Sequence, residues 1–209
     1  MSERRVRTLD APARFVTKDM VMCVVVLAVI ALVAGVLLGL VNWLTYVDPA
    51  AAVAEQVAEH YGVDPSLVSS AEDRALSAPG ASSTVDAAYV VSREGETLAY
   101  AYLVSGAGAY KGTVQFIFYV TPEGRIEGTE VYASSETAGI GSKVLTKDNL
   151  ARLVGLDLGA ITDYGDVGSS AVRDEGVYIT GATYTSKSLV NAVRALAYAF
   201  AAASGEVTP

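Results

Sequence analysis

One cysteine, Cys23, and one histidine, His60, are all that this 209-residue chain holds of either type. A single thiol makes no disulfide within the chain. Protein-ligated iron–sulfur clusters and tetrahedral zinc sites need more Cys and His ligands than these, so any redox cofactor here must be organic. Positive charge is scarce as well. Lys and Arg number 15 against 23 Asp and Glu, a net charge of −8, and Arg4, Arg5, Arg7, Arg14 and Lys18 are spent before the first long apolar stretch. The rest of the chain is therefore more acidic than the total, which argues against nucleic-acid binding. An acidic surface is read simply as solubility.

Charge is missing altogether from Met20 to Val47. About 20 apolar residues cross a bilayer core, whereas the apolar region of a cleavable signal runs to only ~7–15. Residues 20–47 are thus expected to be a transmembrane helix; the alternative is a signal cleaved near Ala50-Ala51-Ala52. Basic flanks stay in the cytoplasm, which makes 1–19 a cytoplasmic tail and places the chain beyond the helix outside the cytoplasm. Trp43 and Tyr46 fall near the outer end, where amphipathic rings prefer the interface. Cys23 has no apolar stretch before it, unlike a lipoprotein cysteine, and reads as a small hydrophobe. His60 reads as a solvated surface residue.

Beyond the membrane run, Val53, Val57 and Tyr61 recur every four residues, a helical spacing, and 48–84 reads as a stalk helix followed by a loop rich in Ser, Ala, Gly and Pro. From residue 85 the pattern is that of strands: 88–92, 97–104, 114–121 and 125–133 are rich in Val, Tyr, Phe and Ile. Arg93-Glu94-Gly95-Glu96 and Pro122-Glu123-Gly124 are natural turns, so an antiparallel meander is expected; Ser105-Gly106-Ala107-Gly108 is read as a further turn. Alternation in 126–133 is imperfect, which leaves the faces of that strand open. A short helix is expected over 147–154, a loop over 155–170, a strand over 176–180 and an amphipathic helix over 186–203. Residues 205–209 read as a disordered tail.

Two constellations carry chemistry. Thr180-Gly181-Ala182-Thr183-Tyr184-Thr185-Ser186 lies where the last predicted strand gives way to the last helix. A helix N-terminus offers unpaired N–H groups and partial positive charge to a phosphate, and the hydroxyls of Thr183, Thr185 and Ser186 are able to bond phosphate oxygens. Spacing alone equally fits ordinary capping. Ser135-Glu136-Thr137-Ala138-Gly139-Ile140-Gly141-Ser142-Lys143 follows a predicted strand. Its two glycines let backbone approach a flat ring with Ile140 over the ring's face, and Lys143 is placed to meet an anion. A loop without a ligand fits it equally. Tyr110, Tyr178 and Tyr184 are candidates for stacking on a ring, although packing on the sheet is preferred for each.

Taken together, the two segments resemble the FMN-binding domain shared by the G subunit of Rnf complexes and the C subunit of sodium-pumping NADH:quinone oxidoreductase. That family carries a loop like Glu-Thr-Pro-Gly-Leu-Gly, matched by 136–141, and later a Ser/Thr-Gly-Ala-Thr, matched by 180–183, in the same order. Its N-terminal tail, single membrane helix and extracytoplasmic domain match too. Three residues depart from the pattern: Ala138 for the usual proline, Ser134 for a frequent histidine, and Val177 for a common aspartate, with Asp174 three residues upstream of Val177.

The resemblance implies FMN esterified through its phosphate to Thr183, installed by a flavin transferase that draws on FAD. Thr180, Gly181, Ala182, Thr185, Ser186, Glu136, Thr137, Gly139, Ile140, Gly141 and Lys143 would surround it. Thr183 would be an attachment point, with the chemistry left to the ring. The expected fold is α+β, a twisted antiparallel sheet flanked by helices, with the FMN-binding domain at 85–204. The function implied is electron transfer within an Rnf-type ion-translocating ferredoxin:NAD oxidoreductase, beside other membrane subunits, in the cell membrane and inactive alone. A stand-alone extracytoplasmic flavoprotein and a non-redox anchored adaptor are the alternatives.

Overall fold

The computed structural model describes residues 18–46, 48–169 and 176–207; most of the basic tail, Val47, Asp174 and the last two positions lie outside them. The chain divides into two units, Met1–Val47 and Asp48–Pro209. In the first, helix α1 (Lys18–Thr45) has 28 residues, none of them buried. At ~1.5 Å per residue its length exceeds the ~30 Å of a bilayer's hydrocarbon core. It is long and apolar enough to cross a membrane.

The second unit is built on one open antiparallel sheet, β1 (Val68–Ser70), β2 (Thr84–Arg93), β3 (Glu96–Ala109), β4 (Gly112–Val120) and β5 (Ile126–Ala133), with strands adjacent in chain order. Strands β2 to β5 are the four read from the sequence. β1 has three residues, too few for a period-2 pattern, and it pairs at the edge with 89–91 of β2.

Helix α4 (Thr183–Ala203) covers one face of the sheet. It packs Leu189, Val193 and Leu196 against Tyr102, Val104, Phe116 and Phe118. Its buried face is wider than the stripe predicted, and Leu158, Val167 and Val177, from outside the sheet, belong to the same core cluster. On the buried face Ser188 and Asn191 are paired, whereas the buried Tyr198 OH has no hydrogen-bond partner among the described residues. Asn191 Nδ2 donates to Ala107 O at 2.9 Å, and its Oδ1 accepts from Val167 N at 2.7 Å.

The other face is covered by α2 (Pro49–Tyr61), capped by Asp48 Oδ1, which accepts from Ala50 N at 3.0 Å. Read from sequence as a stalk, this helix is a layer of the fold. Val53, Val57 and Ala58 are buried against Tyr89, Val91, Ala101, Leu103, Ile117 and Tyr119. Each valine so buried stabilises by about 1.5–3 kcal/mol. Strands β3 and β4 are consequently buried on both faces, so Phe116-Ile117-Phe118-Tyr119-Val120 is unbroken apolar sequence with no alternation to read. His60 is exposed, as expected, and one face of its ring lies flat on Tyr119 with ring centroids 3.6 Å apart and planes 8° from parallel.

Four local expectations are corrected. Ser105–Gly108 is not a turn: β3 runs through it to Ala109, with a bulge between Ala107 and Ala109. The strand carries glycine there because α4 crosses closely; a Cβ on Gly106 would overlap Ser188 O and stand 2.9 Å from Ser188 Oγ. Residues 176–180 form no strand but lead into a turn. The short helix α3 (Lys147–Leu150) passes into a 3₁₀ turn at Ala151–Leu153, which buries Leu153 and leaves Val154 exposed. Gly205 and Glu206, read as disordered tail, bond back to Ala202 O and Ala201 O.

Candidate functional site

Helix α4 begins at Thr183, three residues before the start read from the sequence, with Ala182 at its N-cap and no side chain capping it. The N–H of Ser186 is the first to reach an acceptor of this helix, Ala182 O at 2.9 Å. The N–H groups of Thr183, Tyr184 and Thr185 precede it and have no intrahelical acceptor. The hydroxyls expected to cap the helix are engaged elsewhere. Thr183 Oγ1 lies 3.4 Å from Tyr178 OH, Thr185 Oγ1 donates to Glu136 Oε2 at 2.7 Å, and Ser186 Oγ accepts from Ile179 N at 3.2 Å. Ahead of the helix, Ala182 N closes a turn onto Ile179 O at 3.0 Å, with Gly181 at φ 84°.

The loop after β5 is held by its own bonds. Glu136 N donates to Ser134 Oγ at 3.1 Å, Gly139 N to Ser142 Oγ at 2.8 Å, and Ile140 N to Thr137 O at 3.2 Å. Glu136 fastens this loop to two other segments. Its Oε1 accepts from Lys111 N in the β3–β4 turn at 3.2 Å, and its Oε2 accepts from Thr185 on α4. Gly141 sits against that pair, where a Cβ would overlap Glu136 Oε2 and stand 2.7 Å from Thr185 Oγ1. The sequence suggested that this glycine lets backbone approach a ring. In the structure its close approach is to the Glu136–Thr185 pair.

Together the segments enclose a cavity of about 360 Å³. Glu136, Thr137, Ile140, Gly181, Ala182, Thr183 and Thr185 line it, joined by Tyr110 from the β3–β4 turn and Tyr184 from α4. Thr183 is half-buried there. Of the other candidates, Thr180, Gly139, Gly141, Ser186 and Lys143 are not in the lining. Ser186 is wholly buried beneath the turn and Lys143 is exposed to solvent. Of the three tyrosines, Tyr178 lies partly buried against the core. Tyr110 and Tyr184 are 69% and 55% exposed, with ring centroids 6.2 Å apart. The backbone of Lys111 gave no signal in the sequence, because any residue type except proline donates the same N–H. Burial pushes the phenols of Tyr61, Tyr89, Tyr102 and Tyr119 upward, and none of the four lines this cavity.

A cavity of this size is at the lower end of small-ligand sites, ~300–1,000 Å³. Ile140, Tyr110 and Tyr184 offer apolar surface to a flat ring, and the leading N–H groups of α4 suit an anion. Residues 109–197 match the FMN-binding domain family. Both motif segments, and every lining residue, fall inside that match. Over 115 residues the chain is 34% identical to the G subunit of the ion-translocating oxidoreductase complex of Pseudomonas aeruginosa, covering 53% of each protein. It is 32% identical over 108 residues to the corresponding protein of Cereibacter sphaeroides, covering 50% of this chain and 48% of the relative. The Vibrio vulnificus protein of the same name is 31% identical over 112 residues, 51% of each. The chain thus spans about half the length of the curated relatives it matches.

The residues present fit FMN. Helix N–H groups stand ready for a phosphate, a hydroxyl lies at the same helix end, and apart from the Glu136 carboxylate the remaining walls are small, hydroxylic or apolar. Val177, where the resemblance has aspartate, is buried in the core with its carbonyl accepting from Asn149 Nδ2 at 3.3 Å.

Proposed function

We propose that this chain is the FMN-bearing, G-type subunit of an Rnf-type ion-translocating ferredoxin:NAD oxidoreductase, with the flavin esterified to Thr183. The observation that carries this reading is the convergence of two segments far apart in sequence, the Glu136 loop and the start of α4, on one cavity inside the FMN-binding domain match.

Bound flavin would supply one- and two-electron transfer. The chain's own residues hold it. The N–H groups of Thr183, Tyr184 and Thr185 point along the helix axis toward its end and favour an anionic phosphate there, by about 0.3–1 kcal/mol where exposed. That is too little to retain a cofactor, which is the physical case for a covalent ester. Thr183 would be the attachment point: its hydroxyl would replace AMP on the FMN phosphorus of FAD with the help of a flavin transferase, one P–O bond forming as one breaks and the hydroxyl proton being released. Tyr178 OH positions the threonine oxygen, and Tyr110, Ile140 and Tyr184 bound the space left for the ring. The α1 helix anchors the chain in the cell membrane, with the basic tail inside and the domain outside, beside the other membrane subunits that complete the electron path.

The test is mass spectrometry of the full chain co-expressed with a flavin transferase. A gain of about 0.44 kDa on the peptide containing Thr183 is expected, and Thr183→Val should abolish it. Covalent flavin surviving in that variant would overturn the site, and a bare peptide from the native membrane would overturn the function.

A further inference from the structure

Among the described residues, Glu136 is the one carboxylate in the cavity wall, and no Lys or Arg side chain lines it. We infer that the Glu136 carboxylate sets the reduction potential of the flavin held in this cavity, keeping it below the value the same ring would have beside a neutral side chain. This rests on the flavin reading above and deepens it by naming the residue that tunes the cofactor.

The geometry fixes the charge in place. Oε1 is held by Lys111 N at 3.2 Å and Oε2 by Thr185 Oγ1 at 2.7 Å, so the two oxygens are bonded to two different elements. The absent Cβ of Gly141 is what leaves room for the side chain, and the glycine backbone closes it in. Glu136 is also half-buried. A charge so held cannot swing into solvent when the contents of the cavity change, and water screens it less than a surface charge.

The energetic consequence has a definite sign. Reduction of a flavin ring by two electrons with uptake of one proton leaves the ring with a negative charge, the donor losing the same two electrons. A fixed carboxylate repels that product and leaves the neutral oxidised ring nearly untouched. The equilibrium moves toward the oxidised form, and the midpoint falls.

Thr185 separates charge from architecture. Glu136→Gln removes the charge and retains an oxygen able to accept from Thr185. Thr185→Val removes the hydrogen bond and leaves the charge, now less neutralised by a donor. Reductive titration with dithionite, on full chain carrying flavin, should give a more positive midpoint for Glu136→Gln and an unmoved or more negative one for Thr185→Val. Thr137→Lys adds a positive charge to the same wall without altering either bond to Glu136, and should also move the midpoint upward. Shifts of one sign and similar size in Glu136→Gln and Thr185→Val would show that only loop architecture matters and overturn the inference. So would an unmoved midpoint in Glu136→Gln, or in Thr137→Lys should the former not fold. Mass read on the same samples distinguishes the two failures: an unmoved midpoint with the adduct present sinks this inference alone, whereas no adduct sinks the flavin reading and this inference with it.

Discussion

Glu136 and Thr185 lie 49 positions apart in the chain and meet at 2.7 Å, Oε2 to Oγ1. The same carboxylate reaches Lys111 N, so one side chain ties the β3–β4 turn, the loop after β5 and the first turn of α4 into a single wall. Hydrogen bonds to charged groups contribute about 1.5–3 kcal/mol. Thr185→Val should therefore lower unfolding free energy by roughly that much in urea denaturation, and Thr185→Ser, which keeps the donor, should recover most of it.

Two glycines allow close approaches of different hardness, and their alanine variants should rank accordingly. At Gly141 the added methyl meets the end of a glutamate side chain and a threonine hydroxyl, groups able to shift at the cost of their hydrogen bond. At Gly106 it meets the backbone carbonyl of Ser188 inside α4, which moves only if the whole helix lifts from β3. Overpacking costs about 1–3 kcal/mol where neighbours yield. Gly141→Ala belongs in that range, and Gly106→Ala should exceed it, as read from the two urea midpoints.

The parts of the fold that were legible in the sequence are those written in local chemistry. Strands β2 to β5 announced themselves by β-branched and aromatic runs between turn residues, and α1 by length and absence of charge. The hidden parts depended on neighbours. Ser105–Gly108 has the composition of a turn, yet it is strand, because its glycines answer to a helix crossing from 82 residues further on. The start of α4 was read three residues late because the hydroxyls of Thr183 and Thr185 suit capping, whereas both residues lie in its first turn. At the site, both motif segments were singled out from their residues, and the resemblance gave them a ligand. Gly141 also packs against Glu136 and Thr185, the latter a neighbour no local pattern reveals, and the contribution of Lys111 came through a backbone group that no side-chain pattern records.

The α2 face of the sheet predicts an alkaline loss of stability. Tyr61 OH donates to Glu127 Oε2 at 3.0 Å and Tyr119 OH to Glu130 Oε2 at 3.2 Å. Burial first, and the adjoining carboxylates second, push both phenols above their ordinary value. A group whose pKa is raised on folding contributes stability that is complete below its unfolded pKa, about 10 for tyrosine. That contribution is lost as pH climbs from there toward the folded value. Thermal unfolding should accordingly show a steepening fall in midpoint above about pH 10. The Tyr61→Phe, Tyr119→Phe double variant, with no phenol left to ionise at either place, should fall less steeply.

Helix α2 decides where the folded domain begins. The strand pattern starts at residue 85, yet a chain cut there would uncover Tyr89, Val91, Ala101, Leu103, Ile117 and Tyr119, which α2 and β1 keep from water. The sheet has an apolar surface on both sides and needs both helical layers to bury it. A fragment of residues 48–209 should be monomeric in size-exclusion chromatography, with a cooperative unfolding transition, while 85–209 should aggregate or melt without one. A point variant tests the same claim without truncation. Val57 is wholly buried in this interface, and Val57→Ala removes two methyl groups at ~0.8 kcal/mol each and leaves a cavity, for a loss of about 2 kcal/mol. A true stalk, projecting into solvent, would show neither effect, and cooperative folding of 85–209 together with a silent Val57→Ala would return α2 to that role.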